Sequence, residues 1–318
     1  GLFLFRTTLG RTSINQNTIT KISQLHRRNQ SRRMGRGLVT VGSMAAGAFL
    51  VVSTGAFRQS PPSNLEDPTS GTGGFAFWGE SASPIYDDLN GEEAMELFDL
   101  NESLFTKSQV IPLRLRAGDD ASCLNLNKAL RPKIYGVKQS DFSGRFQFAE
   151  GNWTSLEKIL EDEAVPALVD KNTMDWALKM GLGDRIQFTD GEGNLFDIEL
   201  VGALKGSMLQ GALFINEQDF LNKFKQQGGY RSFLLSGKFE DAKRLSDHLQ
   251  ERMYQHGMEF RESGKRLAEL QTVENTYLSI FQALGGLGML IGTCGLGLVV
   301  ARNLVERSQE TALLEAVG

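Results

Sequence analysis

Between Glu274 and Arg302 stand 27 residues without a formal charge, and nothing else narrows the choice of fold so far. As a helix, at about 1.5 Å per residue, the run is about 40 Å long, which exceeds the roughly 30 Å hydrocarbon core of a bilayer. It predicts a membrane span. Upstream, Leu267, Leu270, Val273, Tyr277 and Phe281 keep helical spacing, with no Pro or Gly among them before Gly285. The helix is therefore expected to start near Ser263, outside the membrane, as a stalk. Downstream, residues 302–318 read as a short helix with charges on one side and Ala312, Leu313, Leu314 and Val317 on the other, a docking face.

A second apolar run, 21 uncharged residues over 37–57, follows directly on Arg27, Arg28, Arg32, Arg33 and Arg36. Residues 1–36 hold eight Lys or Arg and no acid in a chain of net charge −4. Basic residues flanking a span stay on the cytoplasmic side, so both chain ends are expected in the cytoplasm and the acidic middle outside. The same Arg cluster argues against nucleic-acid binding, because an apolar run follows at once and no aromatic residues interleave the charges. Gly42 with Ala46 and Gly288 with Gly292 have the small-xxx-small spacing that lets membrane helices approach closely. The chain begins at Gly1 and stops at Gly318, and is read as a piece of something longer.

From Gln59 to about Gly74 the composition turns to Ser, Pro, Gly and Asp, an exposed connector. A folded domain follows. Asn172 is placed to cap a helix through Asp175, Trp176 and Met180 that ends at Gly181. RIQFTDGEGNLFDIELVGAL reads as a hairpin, since Phe196, Ile198 and Leu200 alternate with Asp197 and Glu199. Asn216 caps a helix carrying Phe220, Leu221 and Phe224. FLLSGKF is a strand, and Ala242, Leu245, Leu249 and Met253 recur at helical spacing. Strands and helices in this order predict an α+β domain. The whole is a membrane protein with two transmembrane helices flanking an extracytoplasmic α+β domain: a basic segment 1–36, a span 37–57, the domain 58–262, a stalk and span 263–301 and a cytoplasmic helix 302–318.

No Walker A loop, G-x-S-x-G, H-E-x-x-H or repeated C-x-x-C occurs. Asp119 and Asp120 are adjacent and read as a solvated turn. Cys123 and Cys294 fall in different phases, so neither a disulfide nor a metal site is expected from them. No catalytic, cofactor or metal residues are assigned.

Taken together, LGGLGMLIGTCGLGLVVARNLVERSQETALLEAVG, GGFAFWGESASPI, GDDASCLNLN and LKGSMLQGALFINEQDF resemble the FtsX-like permeases, the membrane subunits of ABC systems of the MacB and lipoprotein-release type. The E-R-x-x-E-x-x-x-L-x-x-x-G signature is matched by Glu306, Arg307, Glu310, Leu314 and Gly318, and Glu315 stands where the family usually has Arg. The resemblance implies a non-catalytic permease half in the plasma (inner) membrane, paired as a homo- or heterodimer and served by a separate ABC ATPase. It further implies that Glu306, Arg307, Glu310, Leu313, Leu314 and Gly318 belong to the helix that meets that ATPase, and that two more spans follow in the complete module. A different class of reading is a membrane-anchored regulatory module that recruits an extracytoplasmic partner such as a cell-wall hydrolase.

Overall fold

The computed structural model of the chain describes residues 34–57, 66–119 and 131–317. They fall into two compact units, one within Gly1–Gln59 and Asn275–Gly318, the other within Ser60–Glu274. The first unit is helical. It holds α1 (Met34–Phe57) and the part of α6 (Ser263–Val317) from Asn275 onward. Among the described residues one helix, Ser263–Arg302, is long and apolar enough to cross a membrane, and Val41–Ala56 is a shorter apolar helix.

The second unit is built on a ten-stranded sheet. Its strands are β1 (Phe75–Ile85), β2 (Ser108–Arg116), β3 (Lys133–Val137), β4 (Phe148–Glu150) and β5 (Val165–Asp170), then β6 (Arg185–Thr189), β7 (Leu195–Leu204), β8 (Ala212–Asn216), β9 (Tyr230–Gly237) and β10 (Glu259–Glu262). The order is β10-β1-β9-β2-β3-β8-β5-β7-β4, with β6 also on β7. β3 runs parallel to β8 and β5 to β7, and the remaining pairs are antiparallel.

Successive side chains on a strand face opposite ways, and here both faces are apolar. In β8, Ala212 and Phe214 point to one cluster and Leu213 and Ile215 to another. In β9, Leu234 joins the first cluster, and Phe233 and Leu235 join a third. The first cluster is one continuous face that takes residues from both halves of the sheet, with Phe75, Trp78, Tyr135, Phe142, Trp153 and Leu267 among its members. The opposite face is divided. Phe220 and Phe224, from α4 (Glu217–Lys223) and just beyond it, cover one half, and Ala242, Leu245 and Leu249 of α5 (Phe239–Arg252) cover the other together with the short helices α2 (Glu92–Leu97) and α3 (Glu102–Phe105).

The domain is thus of mixed α+β class. The hairpin forms with Thr189 opposite Leu195, and the Asp190 carboxylate accepts the amides of Glu192 and Asn194 in its turn. Asn216 accepts from the Gln218 amide at the start of α4. The segment after β5 differs from expectation. Asn172 already has helical backbone and donates its own amide to Asp170, so it caps nothing. Residues Thr173–Leu178 make a single wide turn closed by Lys179 in the left-handed region, and Gly181 instead donates to the Asp184 carboxylate.

Candidate functional site

Helix α6 starts with one face packed on the core of the sheet unit. Leu267 and Leu270, near its start, are buried. Beside them the Arg266 guanidinium lies over the Trp78 ring, 4.7 Å from its centroid, and Nε donates to the Met208 carbonyl at 3.0 Å. Met208 belongs to the β7–β8 loop, residues 205–211, which is itself held from three sides. The Met208 amide donates to the Gly71 carbonyl at 2.8 Å, the Gly211 amide donates to Thr173 Oγ1 at 2.9 Å, and the Ser207 amide and hydroxyl both donate to Asp170 Oδ2 at 2.7 Å. Gly71 is required there, since a Cβ would stand 2.5 Å from the Gly206 carbonyl oxygen. The Arg266→Ala variant removes one hydrogen bond to a charged donor and one cation–π contact and is expected to cost about 2 kcal/mol, read as a lowered melting temperature with faster amide exchange in residues 205–211.

In the helical unit, α1 and α6 pack antiparallel through glycines. A Cβ at Gly47 would lie 2.8 Å from Met289 Cγ and 2.9 Å from the Gly285 carbonyl oxygen; one at Gly285 would lie 3.0 Å from Leu50 Cβ; and one at Gly292 would lie 2.8 Å from Met44 Cγ. Of the residues singled out from spacing, Gly292 is in this contact, Gly42 is half-buried, Ala46 is exposed, and a Cβ at Gly288 would meet nothing within 4 Å. Leu287, Leu290, Ile291 and Leu298 are exposed on α6, as is the free thiol of Cys294. Cys123 lies outside the described residues, as does Gly318. Glu306, Arg307, Glu310, Leu313 and Leu314 are on the last turns of α6, which runs to Val317.

The sheet unit carries an open cleft of about 760 Å³. One wall is the segment after β3, with Lys138, Gln139, Ser143 and Arg145; another is Asn152, Thr154 and Glu157; the third is Asn216, Glu217 and Gln218 at the β8–α4 junction. Phe146 and Trp153 are buried at its base, and Phe148 meets the Trp153 ring edge-on at 5.6 Å. The walls are pinned from behind. Trp153 Nε1 donates to the Arg145 carbonyl at 2.9 Å, Arg145 donates to the Gly73 carbonyl at 2.7 Å, and Asn152 accepts from the Ser155 amide and the Thr154 hydroxyl.

Charges of both signs line the cleft. Glu217 takes a 2.8 Å bond from Arg114 Nε, whose guanidinium also lies 4.3 Å from the Tyr230 ring centroid. Burial pushes the Tyr230 phenol and the Asp141 carboxyl above their ordinary ranges. Burial alone would lower the Lys138 ammonium, but the field of Tyr230, Glu217, Asp88 and Asp141 outweighs it and holds Lys138 above the usual lysine range. Burial lowers the Arg145 guanidinium.

Among the described residues no three His, Cys, Asp or Glu side chains are grouped to hold a metal. Asp119 accepts the Arg131 amide at 2.9 Å within a loop closure, and Asp120 lies outside the described residues. The cleft escapes sequence reading because its walls come from three separate segments. Their one local signal is the capping role of Asn152 and Asn216.

No family model and no curated protein matches the chain. Among solved structures, the periplasmic region of MacB from Actinobacillus actinomycetemcomitans matches at 14% identity and a TM-score of 0.36, covering 68% of this chain and 99% of that one. The extracellular domain of the noncanonic ABC-type transporter YknZ from Gram-positive bacteria matches at 10% identity and a TM-score of 0.32, covering 58% of this chain and 98% of that domain. Both of these structural neighbours are periplasmic or extracellular domains.

Proposed function

We infer that the chain is a permease subunit of an ABC system of the FtsX/MacB type, which couples ATP hydrolysis by a separate ATPase to motion of its extracytoplasmic domain. The observation that carries this reading is α6. One face of its first turns is buried in the sheet unit, its middle is the charge-free run, and its end holds the E-R-x-x-E signature residues. A single helix with those three parts has what a mechanical link requires. The reading places the protein in the plasma membrane with α1 and α6 as two spans, both chain ends cytoplasmic and the sheet domain outside, working as a homo- or heterodimer of permease halves. The chain itself performs no catalysis.

The test is association and coupling. Purified from its native membrane, the full-length protein is expected to bring an ABC ATPase with it, and the combined Glu306→Ala, Arg307→Ala and Glu310→Ala variant is expected to reduce that association at least about tenfold, equivalent to about 1.4 kcal/mol. Association that is absent from the wild type, or unchanged in the variant, sinks the reading. The second reading, a module that recruits an extracytoplasmic partner such as a cell-wall hydrolase, is favoured instead if such an enzyme co-purifies through the sheet domain.

A further inference from the structure

The cleft between the segment after β3, residues 152–157 and the β8–α4 junction has no part in the coupling reading and does not rest on it. Its side chains divide into two sets. Most of the charged ones are engaged: Glu217 by Arg114, Arg145 by the Gly73 carbonyl and the Phe75 ring, and Glu157 by the Gln139 amide, which also accepts from the Thr154 amide. Lys138 makes no ion pair within 4 Å among the described residues and lies in the field of Glu217, Asp88 and Asp141.

The neutral ones are held in place yet keep hydrogen-bonding capacity. Asn152 and Asn216 use their side-chain oxygens as caps, which leaves each amide nitrogen, a two-proton donor, for another partner. Gln218 donates from Nε2 to Asn222 and keeps its oxygen as an acceptor. The Ser143 hydroxyl lies on the cleft wall, and Phe148 adds a half-buried apolar edge beside it.

This combination selects among ligand chemistries. A phosphate or carboxylate ligand would meet acids as well as cations here, since Lys138 lies in the field of Glu217, Asp88 and Asp141 and Arg145 in that of Asp141. An extended peptide added to the sheet needs a strand edge of some length, and β4, the strand beside the cleft, has three residues. Fixed neutral donors and acceptors above an aromatic edge suit a molecule that carries many hydroxyls and no charge, with apolar C–H faces between them. The volume is in the range of small-molecule sites, about 300–1,000 Å³. The geometry points to a binding site for a short neutral saccharide, oriented by Asn152, Asn216, Gln218 and Ser143 and packed on Phe148.

The experiment uses the full chain in lipid nanodiscs. Saturation-transfer NMR is recorded with free chitotriose and free cellotriose, with the same saccharides on a lipid anchor in the nanodisc, and with trialanine and inorganic phosphate as competitors. Saturation of at least one saccharide, not displaced by trialanine or phosphate, is the expected result. A signal from the free form identifies a soluble source, and one from the anchored form alone identifies a lipid-borne glycan. Ser143→Trp, which sets a bulky ring on the cleft wall, is expected to weaken binding at least about tenfold. Gln218→Ala, which removes one acceptor at an exposed position, should weaken it about threefold with an unchanged melting temperature. The proposal is overturned if no saccharide binds in either form, if phosphate or trialanine displaces it, or if both variants bind as the wild type does. None of these outcomes bears on ATPase association, so the two readings fail separately.

Discussion

Asp170→Ala is expected to destabilise the sheet unit by about 3 kcal/mol, the upper end of what single substitutions usually cost. Asp170 is fully buried at the end of β5. Its carboxylate accepts the Ser207 amide and hydroxyl at 2.7 Å each and the Asn172 amide at 3.0 Å. Truncation leaves those donors without an acceptor away from water, and an unmade buried hydrogen bond costs more than a made one contributes. For a domain the size of Ser60–Glu274, each kcal/mol shifts the midpoint by about 2–4 °C, so the melting temperature should fall by about 6–12 °C. Asp170→Asn keeps the shape but turns a donor toward other donors, and should recover only part of the loss. Amide exchange should rise first in residues 205–211, the loop that Asp170 holds and on which Arg266 of α6 rests. A melting temperature within about 2 °C of wild type, less than a single kcal/mol would produce, would show that this buried cluster does not hold the loop.

Gly47→Leu is expected to separate α1 from α6. The Cβ alone would stand 2.9 Å from the Gly285 carbonyl oxygen and 3.1 Å from the Met289 amide nitrogen. These are backbone atoms that cannot rotate aside, and overpacking of this kind costs about 1–3 kcal/mol. Cross-linking gives a direct readout. A Cβ at Gly292 would lie 3.3 Å from Ser43 Oγ, so a Ser43→Cys, Gly292→Cys protein with Cys123 and Cys294 replaced by Ser should form a disulfide between the two helices on mild oxidation. Adding Gly47→Leu should lower the cross-linked fraction about tenfold, whereas adding Gly288→Leu, where nothing lies within 4 Å, should leave it unchanged. Equal cross-linking in the two variants would sink the packing described for this pair.

Much of the local structure was legible in the residues. The helical spacing of Leu267, Leu270 and Val273 runs into the uncharged stretch without a break, and α6 does start at Ser263. Alternation in Phe196, Ile198 and Leu200 marked the hairpin, and Ala242, Leu245 and Leu249 marked α5. The segment 172–181 misled for a definable reason. An Asn before an apolar run has the look of a cap, but the cap is Asp170 two residues earlier, whose other donors come from a loop 37 residues away.

Periodicity is a property of neighbours in the chain, so residue order alone was enough to mark α4, α5 and α6, the β6–β7 hairpin, β9 and the stretch long enough to span a membrane. Partner choice between distant segments arises only when the chain is folded. On an α-helix Gly42 and Gly47 point about 140° apart, whereas Gly285 and Gly292 are within about 20° of one another. Several small residues have suitable spacing, and the rotation of each helix against the other selects Gly47, Gly285 and Gly292 as the ones that meet. The same holds for Asp170 with Ser207, for Arg266 with Met208 and for the three walls of the cleft, because each contact joins segments whose separation along the chain carries no periodic signal.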